Sequence, residues 1–143
     1  MADLSCIPKF YLKELSDLLS EEDLYLMLLT SAHTPNPDLH KYISQVSVNE
    51  AVDYGGNYIA GGMVLSNLSS NYSGLNAFAD ADDVAIGPGS TIRYRWGVIY
   101  KKTATPGSSP IRAQVDFKED QVITNGLSTI QWNTLGIIFY RNQ

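Results

Sequence analysis

The stretch TIRYRWGVIYKK, residues 91–102, sets Ile92, Tyr94, Trp96, Val98 and Tyr100 on one side and Arg93, Arg95, Gly97 and Lys101 mostly on the other. Successive side chains of an extended chain point to opposite faces, so this alternation predicts a strand in a sheet with one buried face. Its aromatic residues read as core. Downstream, TATPGSSP is a loop and IRAQVDF alternates again, with Ile111, Ala113, Val115 and Phe117 facing inward. The following DQVITNGLSTIQW contains Asn125-Gly126, a dipeptide suited to the positive-φ positions of a tight turn, which predicts a hairpin there. The closing GIIFYRNQ is apolar and β-prone. Upstream, FADADDVAI (residues 78–86) predicts a strand running into a Gly87-Pro88-Gly89 turn. Both of its faces cannot be buried with Asp80, Asp82 and Asp83 present, so an edge strand is expected.

Towards the N-terminus, KFYLKELSDLLSEEDL carries Phe10, Tyr11, Leu15, Leu18 and Leu19 at three- and four-residue steps, the stripe of a short amphipathic helix. LYLMLLTS (24–31) is too short and too uniformly apolar for such a helix, and its exit HTPNPD suits a buried strand ending in a loop. A helix continuing through Leu29 is the alternative. YGGNYIAGG (54–62) places glycine pairs on either side of Tyr58, as bulges or positive-φ turns require, and MVLSNLSSNY reads as a strand entering a turn. The expected architecture is mainly β: an antiparallel β-sandwich or small barrel with a short N-terminal helix. The division expected is an arm or helix over residues 1–23 and a single β-rich domain over 24–143.

A chain of 143 residues with 44% hydrophobic and 17% charged residues is globular, and it is long enough to bury a core without disulfides or metal. Its net charge of −5, with no basic cluster beyond Lys101-Lys102, argues against nucleic-acid binding, which needs a basic face. The single Cys6 cannot form an internal bridge. No signal-like leader or membrane-length apolar run is expected, so synthesis in a cytosol follows.

Chemistry is sparse. His33 and His40 flank Asp38 in the loop HTPNPDLH, but the spacing matches no metal-ligand pattern and predicts exposed loop residues. Asp80, Asp82 and Asp83 lack the glycine and the twelfth-position glutamate of a calcium-binding loop. No nucleophile elbow occurs. The expectation is therefore a protein with no enzymatic role, no metal and no cofactor.

The order LLTSAHTPNPDLHKYISQVSVNE, YIAGG, ADADDVAI, STIRYRWGVIYK, TPGSSPIRAQVDF and NGLSTIQWNTLGIIF, over roughly residues 24–140, resembles a family of small virion structural proteins of tailed bacteriophages. Its members are labelled head decoration (cement), tail or structural proteins. The resemblance implies a β-rich fold and a non-enzymatic place on the particle. The leading expectation is a capsid decoration protein, trimeric, on the outside of the expanded head, where it bridges subunits of the major capsid protein. It would be assembled in the host cytoplasm, without nucleic-acid or membrane partners. Phe10, Tyr11, Leu15, Leu18 and Leu19, together with Phe139, Tyr140 and Arg141, are the expected contacts. The alternative is a tail-associated virion protein or carbohydrate-binding module for host attachment, using exposed aromatic residues.

Overall fold

The computed structural model describes residues 23–73, 76–132 and 138–141; for 70–73, 76–79 and 138–141 the description is of the backbone. The expected N-terminal arm and helix lie outside the described residues. The chain is mainly β, and its contacts group the described residues into two units: 23–65 with 84–130, and 66–83 with 131–132 and 138–141.

The larger unit is a four-stranded antiparallel sheet. Its strands are β1 (Leu24–Leu29), β2 (Met63–Val64), β5 (Val84–Lys101) and β6 (Ile111–Ile130), in the order β2-β1-β5-β6. The uniformly apolar LYLMLL segment is the strand β1, paired with β5 from Leu24↔Lys101 to Leu29↔Trp96. Continuous hydrophobicity has a physical reason here, since Gly97, Val98, Ile99 and Tyr100 opposite it are all buried. Met27, Leu29, Val98 and Tyr100 form one core cluster with Ile43, which opens the short 3-10 turn Ile43–Gln45, and Val46, which joins it to a second, Ser47–Asn49. Tyr94 and Tyr100 are core residues as their alternation predicts, whereas Trp96 is half-buried under the Arg95 guanidinium, 4.0 Å above its ring. In β6, Ile111, Ala113, Val115 and Phe117 are half-buried while Gln114, Asp116 and Lys118 are exposed, and Phe117 meets Tyr94 edge-on at 5.0 Å.

Among the described residues β1 has a partner strand on its other side only at Tyr25↔Val64 and Leu26↔Met63. A buried backbone amide or carbonyl left unpaired is costly, so the rest of that edge needs other partners. The Leu28 amide donates to the Tyr58 hydroxyl (2.9 Å), the Leu28 carbonyl accepts from Ala51 N (2.8 Å), and Thr30 N donates to the Asn49 carbonyl (2.8 Å). The glycine-flanked Tyr58 thus stands in for a strand.

Two turn signals do not make turns. Gly87-Pro88-Gly89 lies inside β5, with a cis Gly87–Pro88 bond and positive φ at both glycines, and the pairing steps from Ile86↔Ser128 to Ser90↔Gly126. Asn125-Gly126 lies inside β6, and Asn125, at φ 43°, donates its amide to Thr91 Oγ1 (3.0 Å). Each motif is read locally as chain reversal, yet the two face each other across one long hairpin as paired bulges. A Cβ at Gly87 would lie 2.3 Å from the Gly126 carbonyl oxygen, so the close approach requires glycine. The reversal itself falls at 102–110, where Ser109 Oγ donates to the Thr105 carbonyl (2.9 Å) and accepts from Thr103 N (3.0 Å).

The smaller unit contains β3 (Ser69–Ser73), β4 (Asn76–Asp80) and β7 (Ile138–Arg141) in the antiparallel order β3-β4-β7. The predicted continuous strand FADADDVAI is divided: β4 stops at Asp80, residues 81–83 are a link, and β5 starts at Val84. Nor is its first half an edge, because β4 is the central strand of this sheet.

Candidate interaction surface

The expected contacts Phe10, Tyr11, Leu15, Leu18 and Leu19 lie outside the described residues. Phe139, Tyr140 and Arg141 are in β7, with their backbones opposite Phe78, Ala77 and Asn76.

The larger unit carries an exposed apolar surface that the alternation alone did not single out. Val52 (59% exposed), Tyr54 (72%) and Val122 (62%) line one open cleft of about 360 Å³, floored by the buried Ile92 and Ile123. Local folding explains how they meet. The Tyr54 amide donates to the Thr91 carbonyl (2.9 Å), which ties the 51–58 loop to β5, and Val122 is the register partner of Arg93 on β6. Leu127, 61% exposed, continues the apolar series along β6.

β6 is also the last strand of its sheet among the described residues, and its two halves differ in charge. Residues 112–120 include Arg112, Asp116, Lys118, Glu119 and Asp120, with ion pairs Arg95–Asp116 (2.6 Å) and Arg93–Asp120 (2.9 Å). Residues 121–130, QVITNGLSTI, have no charge at all. Charged side chains are a usual means of keeping a sheet edge from pairing with another chain, and the second half lacks them. The signal was present in the sequence as this uncharged β-branched run; which of its residues face outward follows only from the sheet order.

The histidines are not the exposed loop residues expected. His33 is buried, 3% exposed, and its Nε2 donates to Gln114 Oε1 on β6 at 3.4 Å. The His40 ring is 5.4 Å from it, and His33 meets Trp96 edge-on at 6.3 Å. Burial pushes the His33 imidazole down from its ordinary value; the bond to Gln114 opposes this and the neighbouring His40 adds to it. The 31–42 loop packs against β6, which is the long-range contact that the local motif HTPNPDLH could not reveal. Asp38 is exposed, as expected.

Two aspartates of the ADADDV segment, Asp82 and Asp83, have structural partners. Asn67 Nδ2 donates to Asp82 Oδ2, while Asp83 Oδ1 accepts from Trp132 N (3.1 Å) and the Asp82 carbonyl accepts from Trp132 Nε1 (3.1 Å). These contacts fasten the link to a neighbouring segment. Among the described residues no three His, Cys, Asp or Glu side chains converge on a metal position.

Asp53, which the sequence reading passed over, is a heavily bonded carboxylate. It accepts from Ser90 Oγ (2.7 Å), Thr91 N (3.0 Å) and Tyr58 N (3.2 Å), and so clamps the 53–58 loop to the bulged part of β5. Asn57 completes the clamp, accepting from Gly87 N (2.7 Å) and donating to the Ala85 carbonyl (3.1 Å). Burial disfavours the Asp53 charge, but the bonds from Ser90, Tyr58, Thr91 and Gly56 together outweigh it and hold the carboxyl below its ordinary range. A depressed acid adds stability that is fully present above the unfolded pKa and is lost as pH falls through the folded one. Asp53→Asn is therefore expected to cost about 2 kcal/mol at neutral pH, the scale of a hydrogen-bonded charge. Urea titrations at pH 7 and near pH 3 check this, the difference from wild type shrinking at the lower pH. The same clamp holds Tyr54 and Val52 at the cleft, so it is a support for the surface and not a reactive site.

No protein-family model, no curated protein and no solved structure matches this chain.

Proposed function

We propose that this protein is a bacteriophage capsid decoration protein, a non-enzymatic trimer that binds the major capsid protein on the outside of the expanded head and bridges its subunits. The observation that carries the reading is the exposed cleft of Val52, Tyr54 and Val122 beside an uncharged stretch of sheet edge. Apolar and aromatic side chains gathered at one surface suit protein contact, where a few such anchors supply most of the affinity. The resemblance over residues 24–140 supports the same place on the virion, with assembly in the host cytoplasm. The architecture we infer for the whole chain is an antiparallel sandwich or small barrel with a short N-terminal helix. Among the described residues no helix is long and apolar enough to cross a membrane, and the net charge of −5 speaks against a nucleic-acid partner.

The physical role is mass action. A domain that binds only the expanded lattice lowers the free energy of that lattice by its own binding energy and needs no chemistry. Tyr54 and Tyr42, both exposed, are the observation favouring the second reading, a tail-associated module that stacks aromatic rings on host-surface sugars.

Co-sedimentation with expanded and unexpanded heads tests the first reading. The wild-type protein is expected to pellet with expanded heads alone, and Val122→Lys to weaken that binding about tenfold or more, because a charge would be desolvated in the apolar cleft. Binding to purified host glycans with no affinity for expanded heads would establish the second reading instead.

A further inference from the structure

The 31–42 loop leaves the end of β1 and returns to the sheet at two backbone anchors, Ile111 N to the Lys41 carbonyl (2.8 Å) and Ile43 N to the Ser109 carbonyl (2.9 Å). Its inner face is the His33–His40 pair. A neutral His33 fits its surroundings, since it donates to Gln114 and stands against the Trp96 ring edge. A second proton would place a full charge on a side chain that is 3% exposed, with another imidazole 5.4 Å away. Among the described residues the buried Nδ1 of His40 has no hydrogen-bond partner.

The charges around the pair do not compensate. From the loop itself, Asp38 is exposed. From β5, Arg95 lies over Trp96 and adds positive charge. From β6, Arg112 lines the same cleft as His40, and the nearby Asp116 is already engaged by Arg95 (2.6 Å) and Lys118 (3.6 Å).

We propose that His33, packed against His40, is a proton-operated latch: neutral, it holds the 31–42 loop against β6, and protonated, it releases the loop while the sheet stays folded. The sign follows from linkage. A histidine that is harder to protonate when folded contributes stability above its unfolded value of about 6.5 and loses it as pH falls further. Release therefore belongs to mildly acidic conditions.

The test is a pH titration of the full chain by NMR, from about pH 7.5 to about pH 5, following the histidine C2 protons and amide hydrogen exchange corrected for its intrinsic pH dependence. A shift of one pK unit corresponds to a tenfold change in the opening equilibrium. Protection of the Ile43 and Ile111 amides is expected to fall about tenfold or more in step with the His33 resonance, while the Val98 amide keeps its protection. In His33→Gln the step should vanish. In His40→Gln, which retains His33 and removes the neighbouring imidazole that lowers it, the step should persist at higher pH, and this variant serves if His33→Gln fails to fold. His33 titrating with no loss of loop protection, a step unchanged in His33→Gln, or a step absent from His40→Gln would each overturn the latch.

Discussion

Gly62→Ala is expected to destabilise the protein by about 2–5 kcal/mol, the sum of a left-handed backbone forced on alanine and a steric conflict inside the sheet. Gly62 has φ +99°, and a Cβ there would lie 2.3 Å from the Leu26 carbonyl oxygen and 3.1 Å from Met27 Cα. Neither neighbour can move cheaply, because both belong to the backbone of β1, which β5 holds along its whole length. The position matters because Gly62 closes the turn from Ile59 (Gly62 N to Ile59 carbonyl, 3.0 Å) that delivers Met63 to its pairing with Leu26. Gly61→Ala is the control. Its φ is also positive, at +98°, but a Cβ would meet only the Tyr100 hydroxyl at 3.8 Å, so roughly 1 kcal/mol of backbone strain is expected. Urea unfolding of both variants checks the contrast, and equal losses would mean that the close approach to β1 is wrong.

Tyr58→Phe is expected to cost about 2–3 kcal/mol although it deletes a single oxygen. That hydroxyl accepts from the Leu28 amide (2.9 Å) and donates to Glu50 Oε1 (2.8 Å), which also accepts from Gly61 N (2.8 Å). Removing it leaves a buried backbone donor unpaired and strips a carboxylate of one of its two bonds, the case in which the full desolvation penalty is felt. Burial and the Glu50 charge push the Tyr58 phenol up, so it remains a donor throughout the neutral range. Tyr58→Ala would add a cavity beside Leu28, for a total of roughly 3–5 kcal/mol. Denaturation midpoints of the two variants measure this, with Tyr58→Phe at wild-type stability as the contrary result.

Both predictions concern residues whose role was only half visible in the chain. The paired glycines around Tyr58 announced an unusual backbone, but not that it would close the open side of β1. The strands were the legible part: the alternation of residues 91–102 and the apolar run 24–29 each reflect a face or faces buried in a sheet, a constraint that acts residue by residue. Gly87-Pro88-Gly89 and Asn125-Gly126 were misread because their local chemistry is that of turns, and only their mutual pairing shows them to be bulges. The same limit governs the surface. Val122 and Leu127 sat in a segment correctly taken as β, yet which of its residues stay exposed depends on β6 being the outermost described strand. The local motif around His33 reads as a solvated loop because its burial comes from Gln114, Trp96 and His40, two of them more than sixty positions away in the chain.

The proposed place on the outside of an expanded phage head is open to electron cryomicroscopy of the virion, compared with particles lacking this protein. Density of this size is expected over the capsid at local three-fold positions, present on expanded heads and lost with the protein. Density confined to the tail, or heads unchanged by its removal, would contradict it.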